Sequence, residues 1–154
     1  WLEEPMPDRR YNDYIRLTET LDIPIAGGEI FMNDPDLSAL WLKSKAIDIL
    51  RVNCRHGTTP ALKLARFAEV EKKNVEPNSL GPLFGIVHSH FCCGVSNVDW
   101  FESAPPENAI YLAEQMGLLN PVLPADGWIT FPTGPGWGAE WDWKKFEKNR
   151  VAIL

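Results

Sequence analysis

No residue from Asn78 to Val98 carries a formal charge, a long uncharged run for a chain of 154 residues. On length alone such a run is compatible with a membrane span. It contains Pro82, His88, His90, Asn97 and several glycines, however, and so reads as a helix buried among other elements. Cysteine is scarce and odd in number: Cys54, Cys92 and Cys93 supply neither a stapled secreted framework nor a CxxC or Cys/His finger spacing. The adjacent pair reads as buried helix cysteines, and the chain is expected in a reducing cytoplasm. The start lacks a basic segment followed by an apolar one, so what is given contains no secretory signal. It also lacks an initiator methionine, and Trp1 already belongs to an apolar strand, which reads as a piece of a longer protein. Bases are outnumbered, with Lys and Arg at 15 against Asp and Glu at 21, giving a net charge of -6. A broad anionic surface argues against nucleic-acid and anionic-membrane partners.

What the chain has is a recurring event. Trp1-Leu2-Glu3-Glu4-Pro5 is an apolar approach that runs into acids and is stopped by proline. Apolar runs end again at Glu29, Asn53, Asn78 and Glu102, so the polar tips fall 24 to 26 residues apart. Between them lie helical stripes. Asp8 is expected to cap a first helix carrying Tyr11, Tyr14, Ile15, Leu17 and Leu21. Asn33-Asp34-Pro35 opens a second, and Gly57-Thr58-Thr59-Pro60 a third with Leu62, Ala65 and Phe67/Ala68 on its apolar face. Strands alternating with helices of this length imply βαβ crossovers and a parallel sheet.

The fold expected is therefore α/β: a partial (β/α) TIM-type barrel of about five βα units with parallel strands, followed by an irregular C-terminal extension. A complete barrel takes roughly 200 to 250 residues, and this chain supplies somewhat more than half of one. Residues 1–104 are expected to form the barrel units. Residues 105–154 form the extension, with a short strand near Trp128 to Phe131 and a last helix from Trp143 to Arg150 capped by Asp142.

Taken together, Trp1-Leu2-Glu3-Glu4-Pro5, Gly27-Gly28-Glu29, Trp100-Phe101-Glu102 and Asp126-Gly127…Pro135-Gly136-Trp137-Gly138…Asp142-Trp143 resemble the enolase superfamily. The subgroup is that of mandelate racemase and muconate lactonizing enzyme, in the C-terminal part of its barrel. The resemblance implies a Mg²⁺-dependent enzyme that abstracts the proton α to a carboxylate and stabilises the resulting enediolate. Carried over, Glu3 and Glu29 are metal ligands, and Glu102 hydrogen-bonds the substrate carboxylate or enediolate in its acid form. The third ligand, a lysine base, the early strands and a capping domain would lie on segments outside this chain. The implied partners are a small-molecule carboxylate, the N-terminal remainder of the same protein and, in the complete protein, further copies of itself.

Two departures bear on the reaction. Where many members carry an Asp–His dyad, this chain has Asn53 and Asn78, and an amide orients a hydroxyl but takes no proton near neutrality. Glu76 beside Asn78 and His56 in the loop after Asn53 are the further candidates for contact with substrate. His88 and His90 read as structural. The leading expectation is an acid-sugar dehydratase-like lyase, since one-base chemistry with amides to hold hydroxyls suits elimination. The alternatives are a racemase, epimerase or cycloisomerase of the same superfamily, or a non-catalytic interaction module, with the isolated 154-residue chain itself inactive.

Overall fold

Short apolar runs make strands here because helices cover them, and each run ends where a polar residue or a glycine interrupts it. In a computed structural model that describes residues 1–78 and 81–152, the strands β1 (Leu2–Glu3), β2 (Ile25–Gly27), β3 (Ile49–Leu50) and β4 (Asn74–Val75) form one parallel sheet in that order. Leu2 lies opposite Ile25, Ala26 opposite Ile49, and Leu50 opposite Val75. The crossovers are the helices α1 (Tyr11–Thr20), α2 (Pro35–Lys43) and α3 (Thr58–Val70). The sheet is open, and the fold is the α/β barrel segment expected from the alternation.

Four strands are present among the described residues, against the five of the sequence reading. The fifth segment does run beside β4, where Val75 N–H donates to Asn97 O at 2.9 Å. Beyond that bond a side chain replaces the ladder: the Glu76 carboxylate accepts the backbone N–H of Asp99 at 3.1 Å and of Trp100 at 2.9 Å. Asn74 adds a bond from Nδ2 to Asp99 at 2.7 Å. The segment is docked without being a strand.

Trp41 of α2 centres an aromatic cluster, with the rings of Phe31, Tyr14 and Tyr11 at 4.7, 4.9 and 5.4 Å. Asp34 caps α2 by accepting Leu37 N–H at 2.9 Å, with Pro35 in the first turn, as the sequence predicts. Asp8 is not the cap of α1: Arg10 holds that position, and the Asp8 carboxylate accepts the N–H of Arg9 instead. The buried face of α3 is Ala61, Leu64, Ala65 and Ala68, whereas Leu62 is exposed.

The chain divides into two compact units, Trp1–Asn78 with Phe91–Phe101, and Ser79–His90 with Glu102–Leu154. α4 (Pro82–Gly94) starts in the second, which also holds α5 (Pro106–Met116) and α6 (Trp143–Asn149). Gly117, at φ 80°, ends α5 in the left-handed conformation that glycine adopts without steric cost. The strand expected at 128–131 is reduced to one antiparallel bridge between Ala125 and Trp128. Asp126 and Gly127, both at positive φ, turn the chain back at once. Among the described residues no helix is long and apolar enough to cross a membrane.

Candidate active site

Two kinds of strand end meet at the C-terminal edge of the sheet. On the β1–β2 side they are acidic. Glu4, at φ 40°, turns the chain out of β1 while its N–H still donates to Ala26 O at 3.0 Å. Its carboxylate accepts the N–H of Glu29 at 3.1 Å, tying the end of β1 to the loop that carries Glu29. Gly28 makes that loop possible: its φ is +102°, and a Cβ there would lie 2.8 Å from Leu50 Cδ1. Glu4 thus has a definite structural role that the sequence left blank.

The Glu3 carboxylate has both oxygens engaged. Oε1 lies 3.0 Å from Arg51 Nε, and Oε2 accepts the indole N–H of Trp1 at 3.1 Å. The Arg51 side chain is only 2% exposed, and Nε is not aligned for a hydrogen bond, so charge holds this pair. Arg51 is the site residue that sequence reasoning missed. Its signal was a cation inside the apolar run Ile49 to Val52, on the same strand face as Asn53.

Glu3 and Glu29 are hard oxygen donors on neighbouring parallel strand ends, a donor set whose chemistry suits a cation such as Mg²⁺. Among the described residues no group of three His, Cys, Asp or Glu side chains is arranged to hold a metal.

On the β3–β4 side the ends are amides, and the structure joins them. Leu50 pairs with Val75 in register, so Asn53 and Asn78, equally far past those residues, stand side by side. Asn53 Nδ2 donates to Asn78 Oδ1 at 2.5 Å, and Asn53 Oδ1 accepts Arg55 N–H at 2.7 Å to cap the 3₁₀ turn Cys54–His56. Both amides are buried. Asn78 Nδ2 has no hydrogen-bond partner among the described residues, and an unmade bond of this kind costs about 1–3 kcal/mol. It is a donor without an acceptor.

The substrate candidates separate. His56 is exposed and lines a cavity of about 240 Å³ with Asn53, Arg51, Met32 and Pro60. Glu76 is 1% exposed, and its carboxylate clamps the docked segment through the N–H groups of Asp99 and Trp100. Burial raises its pKa, against the opposing pull of those two N–H donors. Glu102 lies in the second unit and is exposed.

The histidines of α4 make packing contacts. His88 is buried with its ring 5.9 Å from that of Phe84. His90 packs on Phe131 and Trp137 at 5.0 and 5.5 Å and meets Trp137 O at 3.1 Å. None of the three cysteines is in a disulfide, and desolvation pushes the thiols of Cys54 and Cys92 up to about 12, which leaves both inert at neutral pH.

Comparison with known proteins bears on the fold and the family. No curated protein matches the chain. Among solved structures, a candidate mandelate racemase/muconate lactonizing enzyme from Pseudovibrio sp. superposes with a TM-score of 0.87 at 24% identity, over 99% of this chain and 41% of its own. A candidate dehydratase from Salmonella gives 0.82 at 20% identity, over 95% and 36%. An enolase from Pantoea ananatis, solved with bound D-gluconate and Mg, gives 0.81 at 23% identity, over 96% and 36%. The chain therefore spans about two fifths of the length of these proteins. The profile of the family described as enolase C-terminal domain-like matches residues 1–145, and the chain belongs to that family, in the mandelate racemase/muconate lactonizing branch of the enolase superfamily.

Proposed function

We propose that the complete protein is a lyase that removes water from a polyhydroxy carboxylate, with this chain supplying the acid and amide strand ends of its site. The observation that carries the reading is the buried Asn53–Asn78 pair with its unspent Nδ2 donor. Neither amide takes a proton near neutral pH, but a donor waiting for an acceptor suits a substrate oxygen. Holding hydroxyls while a single base elsewhere removes the α-proton favours elimination over two-base inversion. The names of the dehydratase and of the gluconate-bound enolase are in line with an acid sugar as substrate.

In this reading the proton leaves C2, hydroxide leaves C3 with a proton to form water, and the resulting enol tautomerises to a 2-keto-3-deoxy acid. Asn53 orients Asn78 through their shared bond, and Asn78 Nδ2 donates to a substrate hydroxyl. Glu3 and Glu29 would hold Mg²⁺, which when bound supplies Lewis-acid stabilisation of the charge developing on the carboxylate. Glu102 keeps the role the resemblance gives it, a hydrogen bond to the substrate carboxylate. The exposed Trp1 and Leu2 on the edge strand β1 support a unit completed by the N-terminal remainder of the same protein, with the isolated chain inactive.

The test is a panel of aldonic and aldaric acids with the full-length protein in D₂O, scored for 2-keto-3-deoxy acid and for deuterium at C2. Keto-acid formation supports the lyase. Inversion or deuterium incorporation without loss of water makes it a racemase or epimerase, and turnover that survives both Glu3→Gln and Glu29→Gln removes the metal assignment.

A further inference from the structure

A second cation already sits at the carboxylate assigned to the metal. Arg51 is buried in the first unit, its Nε 3.0 Å from Glu3 Oε1 and its Cζ 5.9 Å over the centre of the Trp1 ring. Trp1 also donates to the other oxygen of Glu3, so the carboxylate is held from both sides. A buried guanidinium needs a counter-anion, because leaving it alone in a low-dielectric interior is strongly unfavourable. Mg²⁺ needs the same oxygens in near-octahedral geometry and gives up its own waters reluctantly.

Resting on the metal reading above, we propose that Arg51 is the resident cation of Glu3 and that the Arg51–Glu3 pair and a divalent ion exclude each other. The ion pair stabilises the acid end of β1 when no metal is bound. Metal enters only when Glu3 turns from the guanidinium, so Arg51 lowers affinity and makes the site a weak one.

The experiment titrates the full-length protein with Mn²⁺ alone, reading free Mn²⁺ by electron paramagnetic resonance. Arg51→Gln is expected to bind about tenfold more tightly than the parent, the equivalent of one lost charge-assisted contact. Arg51→Lys, which keeps the charge, stays near the parent value. Unchanged or weaker binding by Arg51→Gln overturns the proposal, as does equal tightening by Arg51→Lys. Should Arg51→Gln fail to fold, Trp1→Phe frees Oε2 alone, and the proposal then requires a smaller tightening from it and fails if there is none. Glu3→Gln separates the two readings: if it leaves Mn²⁺ affinity unchanged the metal reading itself fails, whereas if it weakens binding while the Arg51 variants change nothing, only the competition fails.

Discussion

The two halves of the strand-end row are built alike and equipped differently. β1 and β2 deliver Glu3, Glu4 and Glu29, and a buried Arg51 reaches Glu3 from the end of β3, so their ends are ionic. β3 and β4 deliver Asn53 and Asn78, bonded to each other and carrying no charge at any ordinary pH. A parallel sheet with helical crossovers puts loops at one edge whatever residues they hold. What those residues can do is then decided position by position. The acid half can bind cations and stabilise charge, while the amide half can only orient.

Removing charge from the acid half should have the largest effect. Glu3→Gln and Glu29→Gln in the full-length protein are each expected to lower turnover more than about a hundredfold. Glu29→Gln should leave the melting transition close to the parent's, whereas Glu3→Gln should lower it by taking an anion from beside the buried Arg51. Steady-state rates on the best acid sugar, with circular dichroism melts alongside, check both. A comparable loss from Asn53→Ala would erase the distinction between the halves.

Gly28→Ala tests the framework beneath the acid half. The added methyl meets Leu50 Cδ1 at 2.8 Å on a backbone at φ +102°, so about 1–3 kcal/mol of stability is expected to go. Urea denaturation measures it. Stability equal to the parent's would mean that the Gly27-Gly28-Glu29 turn is easily rearranged, and that Glu29 is not held in place by it.

Asn78→Ala should cost less. It removes the acceptor of Asn53 Nδ2 but also an unpartnered donor, so about 1 kcal/mol of stability is expected to be lost. On activity it should lower kcat/KM about tenfold, through a weaker hold on one substrate hydroxyl. A substrate analogue lacking that hydroxyl should be processed equally by parent and variant. If the variant also abolishes α-proton exchange, the amide half is taking part in proton transfer and the contrast collapses.

How much of this the sequence disclosed depends on whether a residue's role was local. The strand ends were legible because an apolar run stopped by a polar residue or proline is a local pattern, as was Asp34 before Pro35 at the start of α2. Register was less legible. The tips recur at a steady spacing, yet Glu3 pairs with Ala26 and Glu29 lies further out on its loop. The contacts of Arg51 and Glu76 were not legible for one reason: each acts across the sheet, Arg51 on Glu3 and Glu76 on the backbone of Asp99 and Trp100. Nothing in the residues beside them in sequence records that partner.

Glu76 gives the smallest and most directional test. It is a carboxylate on the amide side of the row, and burial lifts its pKa above the ordinary 4.5 despite the N–H donors of Asp99 and Trp100. Below 4.5 both folded and unfolded chains hold the proton. As pH rises past that value the unfolded chain releases its proton first, so the folded state binds more protons and stability falls until the folded group also ionises. Above that point the curve is flat again as far as this residue is concerned. Urea denaturation of the full-length protein at a series of pH values from 4.5 upward should show the decline, and Glu76→Gln, which does not titrate, should flatten it. Stability that climbs through the same window would mean that the two backbone donors outweigh burial and hold Glu76 as an anion. The amide side would then contain a true buried charge, and the division between an ionic and a neutral half would have to be redrawn.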